Sequence, residues 1–200
     1  MDSLKYILLS SAILFAQALS FAQTPAEKAA FERVVSSARS MKTMTADFTE
    51  TKQLKMLSDA VVTTGKLWYK APSYMRWEYD SRNYGVYNPK GGYMVKNGQR
   101  DGAMSRGFAQ TGRMVTQLMG NLSEDIKDYS ISYKTAGKNL EVTAIPVSPR
   151  MKGFVESIVM KFDIATCQIR SFEMHSQSGV TTIVFSGMKT DSDIDSQLFN

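Results

Sequence analysis

From Gly65 to Asp80 the chain reads GKLWYKAPSYMRWEYD, and large apolar side chains alternate with polar ones on either side of Pro72. Leu67, Tyr69 and Ala71 share one face, opposite Lys66, Trp68 and Lys70. Beyond the proline, Met75, Trp77 and Tyr79 oppose Tyr74, Arg76, Glu78 and Asp80. Period-two alternation marks half-buried strands. The same pattern predicts strands over 45–54, 61–70, 74–80, 83–88, 91–97 and 99–104. A second series covers 128–134, 138–145, 154–163, 168–175 and 180–187. The stretches NPKGG, KNGQ, TAGKN and SQSG supply turn chemistry between them. Short strands joined by short turns form an antiparallel meander, not alternating βαβ units.

Two segments carry helical spacing instead. Ala26 to Met41 places Phe31, Val34, Val35, Ala38 and Met41 on one stripe, with Thr24-Pro25 as N-cap and first-turn proline. Thr111 to Leu122 aligns Met114, Leu118 and Leu122, with Val115 and Met119 beside them, and glycines 107, 112 and 120 are read as bounding or breaking it. Lying between two strand series, this second helix must cover apolar surface, because its methionines and leucines lose free energy in water.

The first residues belong to neither pattern. Residues 1–22 combine one lysine, an apolar run from Tyr6 to about Leu19 and small residues at Ser20 and Ala22, the layout of a secretory signal peptide. The run is shorter than the ~20 residues of a spanning helix, so export with cleavage after Ala22 or Ala18 is expected, leaving one exported domain over 23–200. Net charge is +5, but lysine and arginine are scattered. That disfavours nucleic acid and leaves a mild attraction to anionic membrane surfaces or acidic partners. Cys167 is the single cysteine, so no intramolecular disulfide can form.

Catalytic constellations are almost lacking. His175 is the one histidine, which excludes a multi-histidine metal site. The glycines of NPKGGYMVKNG lack phosphate-loop spacing, and DSDIDSQ lacks the glycine and closing glutamate of a calcium loop. No enzyme, cofactor or metal is expected. What stands out is soft apolar surface. Of thirteen methionines, Met75, Met94, Met114, Met119, Met160 and Met174 fall on inferred inward faces. Methionine packs well against variable apolar shapes. A curved sheet with such a face and a covering helix is either a container for an apolar ligand or a plain filled core, and composition does not separate the two.

The runs MTADFTETK, GKLWYKAPSYMRWEY and NYGVYNPKGGYMVKNG together resemble the LolA family of periplasmic lipoprotein carriers. That family shows an A-x-F-x-Q strand after its first helix, then G-x-L-W-x-x-x-P-x-x-x-x-W, then a hairpin displaying an aromatic. Ala46 and Phe48 match the first element; Gly65, Leu67, Trp68, Pro72 and Trp77 match the second; similarity continues loosely to DIDSQLF at the end. The resemblance implies a mainly β (α+β) fold, an unclosed antiparallel β-barrel of about eleven strands with helices forming a lid over a hydrophobic cavity. It implies a monomer that binds the acyl chains of lipoproteins. Its partners would be an inner-membrane ABC lipoprotein-release complex and an outer-membrane acceptor protein or the membrane itself. A lipid- or lipoprotein-sensing module on the same fold is the alternative. Strand parity then gives an acyl-chain cavity of Phe48, Met75, Trp77, Tyr79, Tyr93, Met160, Phe162, Phe172, Met174 and Phe185. Met114, Val115, Leu118, Met119 and Leu122 line the lid. One departure stands out: Ala71 occupies the place before the proline where the family pattern has a lid-latching arginine. Adjacent strand residues point oppositely, so Lys70 is a poor substitute, and a looser lid held by methionine and leucine packing is expected.

Overall fold

The computed structural model describes residues 23–200; the segment read as a signal peptide, 1–22, lies outside the described residues. Helix α1 (Pro25–Ser40) opens the fold, followed by strands β1 (Thr43–Leu54), β2 (Val61–Lys70), β3 (Tyr74–Asp80), β4 (Asn83–Asn88), β5 (Gly91–Lys96) and β6 (Gln99–Asp101). Helix α2 (Gly102–Asn121) leads to β7 (Tyr129–Ala136), β8 (Asn139–Pro146), a short α3 (Pro149–Lys152), β9 (Ser157–Asp163), β10 (Ile169–Ser176) and β11 (Gly179–Thr190). A 3₁₀ turn, Ser196–Phe199, ends the chain.

All eleven strands join one antiparallel sheet in the order β6-β5-β4-β3-β2-β1-β11-β10-β9-β8-β7. Two meanders are therefore sewn together by β1 and β11, which pair from Met44↔Thr190 to Leu54↔Gly179. The free edges are β6 and β7, and α2 is the segment that connects them. With 1.5 Å of rise per residue, its 20 residues reach ~30 Å, enough to cross the hollow of a curled sheet. The barrel thus stays unclosed and a helix lies across it.

The caps explain where the helices begin. Thr24 accepts from the Glu27 backbone N–H while the Glu27 carboxylate accepts from the Thr24 N–H, a reciprocal box that the sequence reading took only as far as the N-cap and the proline. Glu27 also accepts from the Thr135 N–H at 3.0 Å, tying the start of α1 to edge strand β7. Phe31 then stacks on Tyr133 of β7, with ring centroids 4.2 Å apart. Helix α1 covers the β7–β8 side of the hollow, and α2 covers β4 and β5.

Helix α2 corrects the sequence reading. It starts at Gly102, not at Thr111, because the Asp101 carboxylate caps it by accepting from the Met104 N–H at 2.9 Å; the strand expected over 99–104 ends at Asp101. Its glycines do not break it. A Cβ at Gly112 would come within 2.7 Å of the Tyr87 ring, and one at Gly120 within 2.9 Å of the Tyr69 hydroxyl. Those positions are glycine so that the helix can sit down on the sheet. The first residues of the strand expected over 154–163 likewise form a turn after α3 instead, with Phe154 and Val155 both bonding back to the Met151 carbonyl.

The C-terminal turn covers part of the convex face. Phe199 is buried against Tyr74, the Asn88 amide donates to the Phe199 carbonyl, and the Tyr93 hydroxyl donates to the Asn200 carbonyl at 2.6 Å.

Candidate functional site

The family-type motif around Gly65 builds an aromatic floor. Gly65 pairs directly with Phe48 across β1 and β2, and a Cβ there would meet the Phe48 ring at 2.6 Å. Its absence lets that ring lie on Trp77 with centroids 4.1 Å apart. Tyr79 meets Phe48 edge-on at 5.7 Å and Phe185 meets Trp77 edge-on at 6.5 Å. Such offset and edge contacts are the favourable geometries for aromatic pairs. A rigid apolar plate results, spanning β1, β3 and β11.

Between this plate and α2 lies a cavity of about 260 Å³. The sheet contributes Met75, Trp77, Tyr79, Met94, Phe172, Met174 and Ile183, and the helix contributes Met104, Phe108, Thr111 and Val115. Lys52 and Thr181 stand at the partly exposed end, beside Met104, which is 44% exposed. Met75, Trp77 and Phe172 are buried at the inner end. One charged group lies within: Glu50, buried, accepts from the Tyr79 hydroxyl at 2.9 Å and the Thr63 hydroxyl at 3.2 Å, and pairs with the Lys52 ammonium at 3.0 Å. Burial, and then the neighbouring Glu50 carboxylate, push the Tyr79 phenol well above its ordinary pKa, so it is a donor at any physiological pH.

The expected residues separate into groups. Met75, Trp77, Tyr79, Phe172, Met174 and, from the helix, Val115 meet around this cavity. Phe48 and Phe185 are buried in the plate behind it. Met160 and Phe162 instead line a smaller space of about 100 Å³ near the end of α1, together with Leu118 and Met119. Met114 faces a cleft of about 370 Å³ shared with Tyr87, Tyr129 and Met151, and Leu122 is core. Tyr93 is a correction. Its cross-strand partner is Val86, which pairs with Arg76, so it stands on the convex face, where Arg100 stacks over its ring at 4.0 Å. Met94 is the β5 residue that turns inward.

Glu50, Lys52, Met104, Phe108, Thr111, Thr181 and Ile183 were missed. Parity with Phe48 would have placed Glu50 and Lys52 inside, and parity with Phe185 would have done so for Thr181 and Ile183. The N-terminal half of α2 gave no such signal, being read as strand and loop.

At the other end of α2, Ala71 offers no polar side chain, and the Lys70 ammonium is engaged at 2.9 Å by the Ser196 hydroxyl near the C-terminus. The helix is held by buried Met114, Leu118, Met119 and Leu122, by the Met94 N–H donating to the Ser105 hydroxyl at 2.9 Å, and by the Gln117 amide donating to Asp128 at 2.9 Å. The fully buried Tyr69 hydroxyl reaches Gly120 in its last turn.

Open sheet, crossing helix and the cavity between them are the features against which known proteins compare. Residues 39–200 match the family model described as outer membrane lipoprotein carrier protein LolA, and the chain belongs to that family. Solved structures similar to it include a LolA superfamily protein from Nitrosomonas europaea, 9% identical over 84% of this chain and 96% of that one, with a TM-score of 0.43. The Mycobacterium tuberculosis lipoprotein LppX is 13% identical over 86% and 99%, with a TM-score of 0.46. The MucA/MucB complex of Pseudomonas aeruginosa contains a chain 9% identical over 88% and 61%, with a TM-score of 0.48. No curated protein sequence matches.

Proposed function

We propose that this protein is a non-enzymatic periplasmic carrier that takes the acyl chains of lipoproteins from an inner-membrane ABC release complex and delivers them to the outer membrane or an acceptor there. The observation that carries this reading is the cavity of about 260 Å³ between the Trp77 plate and α2, in a chain of the lipoprotein-carrier family. Each buried methylene contributes about 0.8 kcal/mol, so a single long acyl chain holds its protein to a bilayer by roughly ten kcal/mol. A carrier removes that barrier by exchanging bilayer contacts for cavity contacts without exposing the chain to water.

The cavity lies just under the ~300–1,000 Å³ of ordinary ligand sites. A full acyl chain therefore needs α2 to move outward from Met75 and Trp77. Displacing the helix costs part of the binding energy, which keeps affinity moderate and makes unloading possible. With Ala71 in place of the latch, methionine and leucine packing sets that cost. The β1–β2 hairpin carries a second element. Lys52 at the cavity mouth pairs with Val61, and just beyond them the hairpin exposes Met56 (87%) and Leu57. This apolar tip, with Lys55 beside it, is the surface that meets the membrane during hand-over.

Filling the cavity tests the reading. Thr111→Trp puts an indole from α2 into the space without touching a fully buried position. Release of lipoprotein from inner-membrane vesicles by the variant should fall at least about tenfold while its melting curve stays near wild type. Unchanged release would sink the proposal. Native mass spectrometry of the protein purified from the periplasm should show acylated cargo; a bound non-acylated protein partner would favour the sensing module.

A further inference from the structure

The cavity wall is mostly apolar, and the one buried charged group in it is built with care. Glu50 points inward from β1 and is 6% exposed. Three donors from three neighbouring strands converge on it: the Lys52 ammonium from β1 at 3.0 Å, the Thr63 hydroxyl from β2 at 3.2 Å and the Tyr79 hydroxyl from β3 at 2.9 Å. All three go to the same carboxylate oxygen, Oε2. Oε1 takes none of these bonds. The carboxylate is thus fixed through one oxygen and presents the other as an acceptor, in a residue lining the cavity beside Met75, Met174 and Thr181.

A plain hydrocarbon makes poor use of such a group. Closing alkyl surface over a carboxylate oxygen strips its remaining water and returns no partner, an unfavourable exchange. A ligand that ends its alkyl chain in an N–H group restores the lost hydrogen bond, and bonds to charged acceptors are the stronger kind. An ester-linked chain has acceptors only and meets Oε1 as a repulsive contact. A free fatty acid brings a second negative charge and must compete with Glu50 for Lys52.

We propose that Glu50 Oε1 is a headgroup subsite that selects an amide-linked acyl chain, the amide N–H donating to Oε1 while the alkyl part lies against Met75, Trp77, Phe172 and Ile183. The inference rests on the reading of this cavity as an acyl-chain site and adds to it the linkage recognised. Lys52, at the mouth, faces the adjoining carbonyl.

Displacement of the neutral fluorophore N-phenyl-1-naphthylamine from the purified protein reads the site. Three competitors share a twelve-carbon chain: N-methyl dodecanamide, methyl dodecanoate and dodecanoate. The amide should displace the dye at a concentration at least about tenfold below that of the ester. In Glu50→Gln the side-chain carbonyl can keep the Tyr79 and Thr63 bonds and turn its NH₂ to the cavity, so the ester should gain on the amide until the two are level or reversed. The wild-type ranking needs no variant and stands if Glu50→Gln fails to fold. Equal displacement by amide and ester in the wild type overturns the headgroup subsite while leaving the apolar-chain site intact. Absence of any dye uptake overturns both.

Discussion

Gly112 of α2 lies flat against Tyr87 of β4, so close that a methyl group at position 112 would come to 2.7 Å from the ring. Glycine in a helix interior normally lowers stability by about 1 kcal/mol relative to alanine. Here the contact reverses that sign. Gly112→Ala should destabilise the protein by about 1–2 kcal/mol, because overpacking at a seated helix outweighs the propensity gain. The strain should appear as lifting of α2, with faster amide exchange over 102–121 and more dye uptake than in the wild type. A rise in melting temperature with unchanged exchange would show that the helix is not seated on Tyr87.

Trp77 offers an optical report on cargo entry. The chain has two tryptophans; Trp77 lines the cavity, and Trp68 lies on the opposite face of the sheet, opposite Arg76. In Trp68→Phe protein the remaining indole emission arises from Trp77. Adding a long-chain amphiphile should change its intensity and peak position in a saturable way, while Trp77→Phe protein, emitting from Trp68, should give no such response. A response carried by Trp68 alone would place the ligand outside the barrel.

Hydrophobic alternation made most of this architecture legible, and the same rule marks its limits. The strands around Trp77 were readable because large apolar and polar residues alternate on either side of Pro72. Period two gives two faces, but in a short strand it does not say which face turns inward. Tyr93 and Met94 show this: both are large and apolar, and the pairing of Gly85 with Met94 and Trp77 decides between them. The start of α2 was hidden for another reason. Its first turns, GAMSRGFAQ, hold two glycines whose helix propensity is poor, and the Asp101 cap together with packing of Phe108 against Gly85 overrides them. Glu50, being charged, carries no apolar signal that would mark it as a cavity residue. Its three donors come from β1, β2 and β3, a convergence visible only once the register is known.

The proposed docking tip predicts a separation between loading and delivery. Met56 and Leu57 lie at the exposed end of the β1–β2 hairpin, away from the cavity lining. Changing both to serine should leave dye uptake and thermal stability within error of wild type, since surface substitutions of this kind move stability by about 0.5 kcal/mol at most. Transfer of bound amphiphile into phospholipid vesicles should slow several-fold. Equal slowing of uptake and delivery would mean that the tip acts on the cavity, not on the membrane.

Acid should loosen the start of α1 and the β9–β10 turn together. Glu27 is held at about 2, first by the Thr135 N–H and then by the Thr24 N–H and hydroxyl. Asp163, at the β9–β10 turn, is held at about 2 by the Arg170 guanidinium and then the Thr166 N–H. Both carboxylates are more acidic folded than in an unfolded chain, where Glu and Asp titrate near ~4.3 and ~3.9. A depressed folded value means the unfolded state binds protons first as pH falls. Their contribution is therefore complete above about pH 5 and is lost progressively between about pH 4.5 and 2. Because Glu27 joins α1 to Thr135 of β7, Glu27→Gln should flatten the decline in urea stability over that window and increase α1 exchange at neutral pH. Parallel decline in wild type and variant at low ionic strength would show that the capping carboxylate contributes nothing to holding α1 over the barrel.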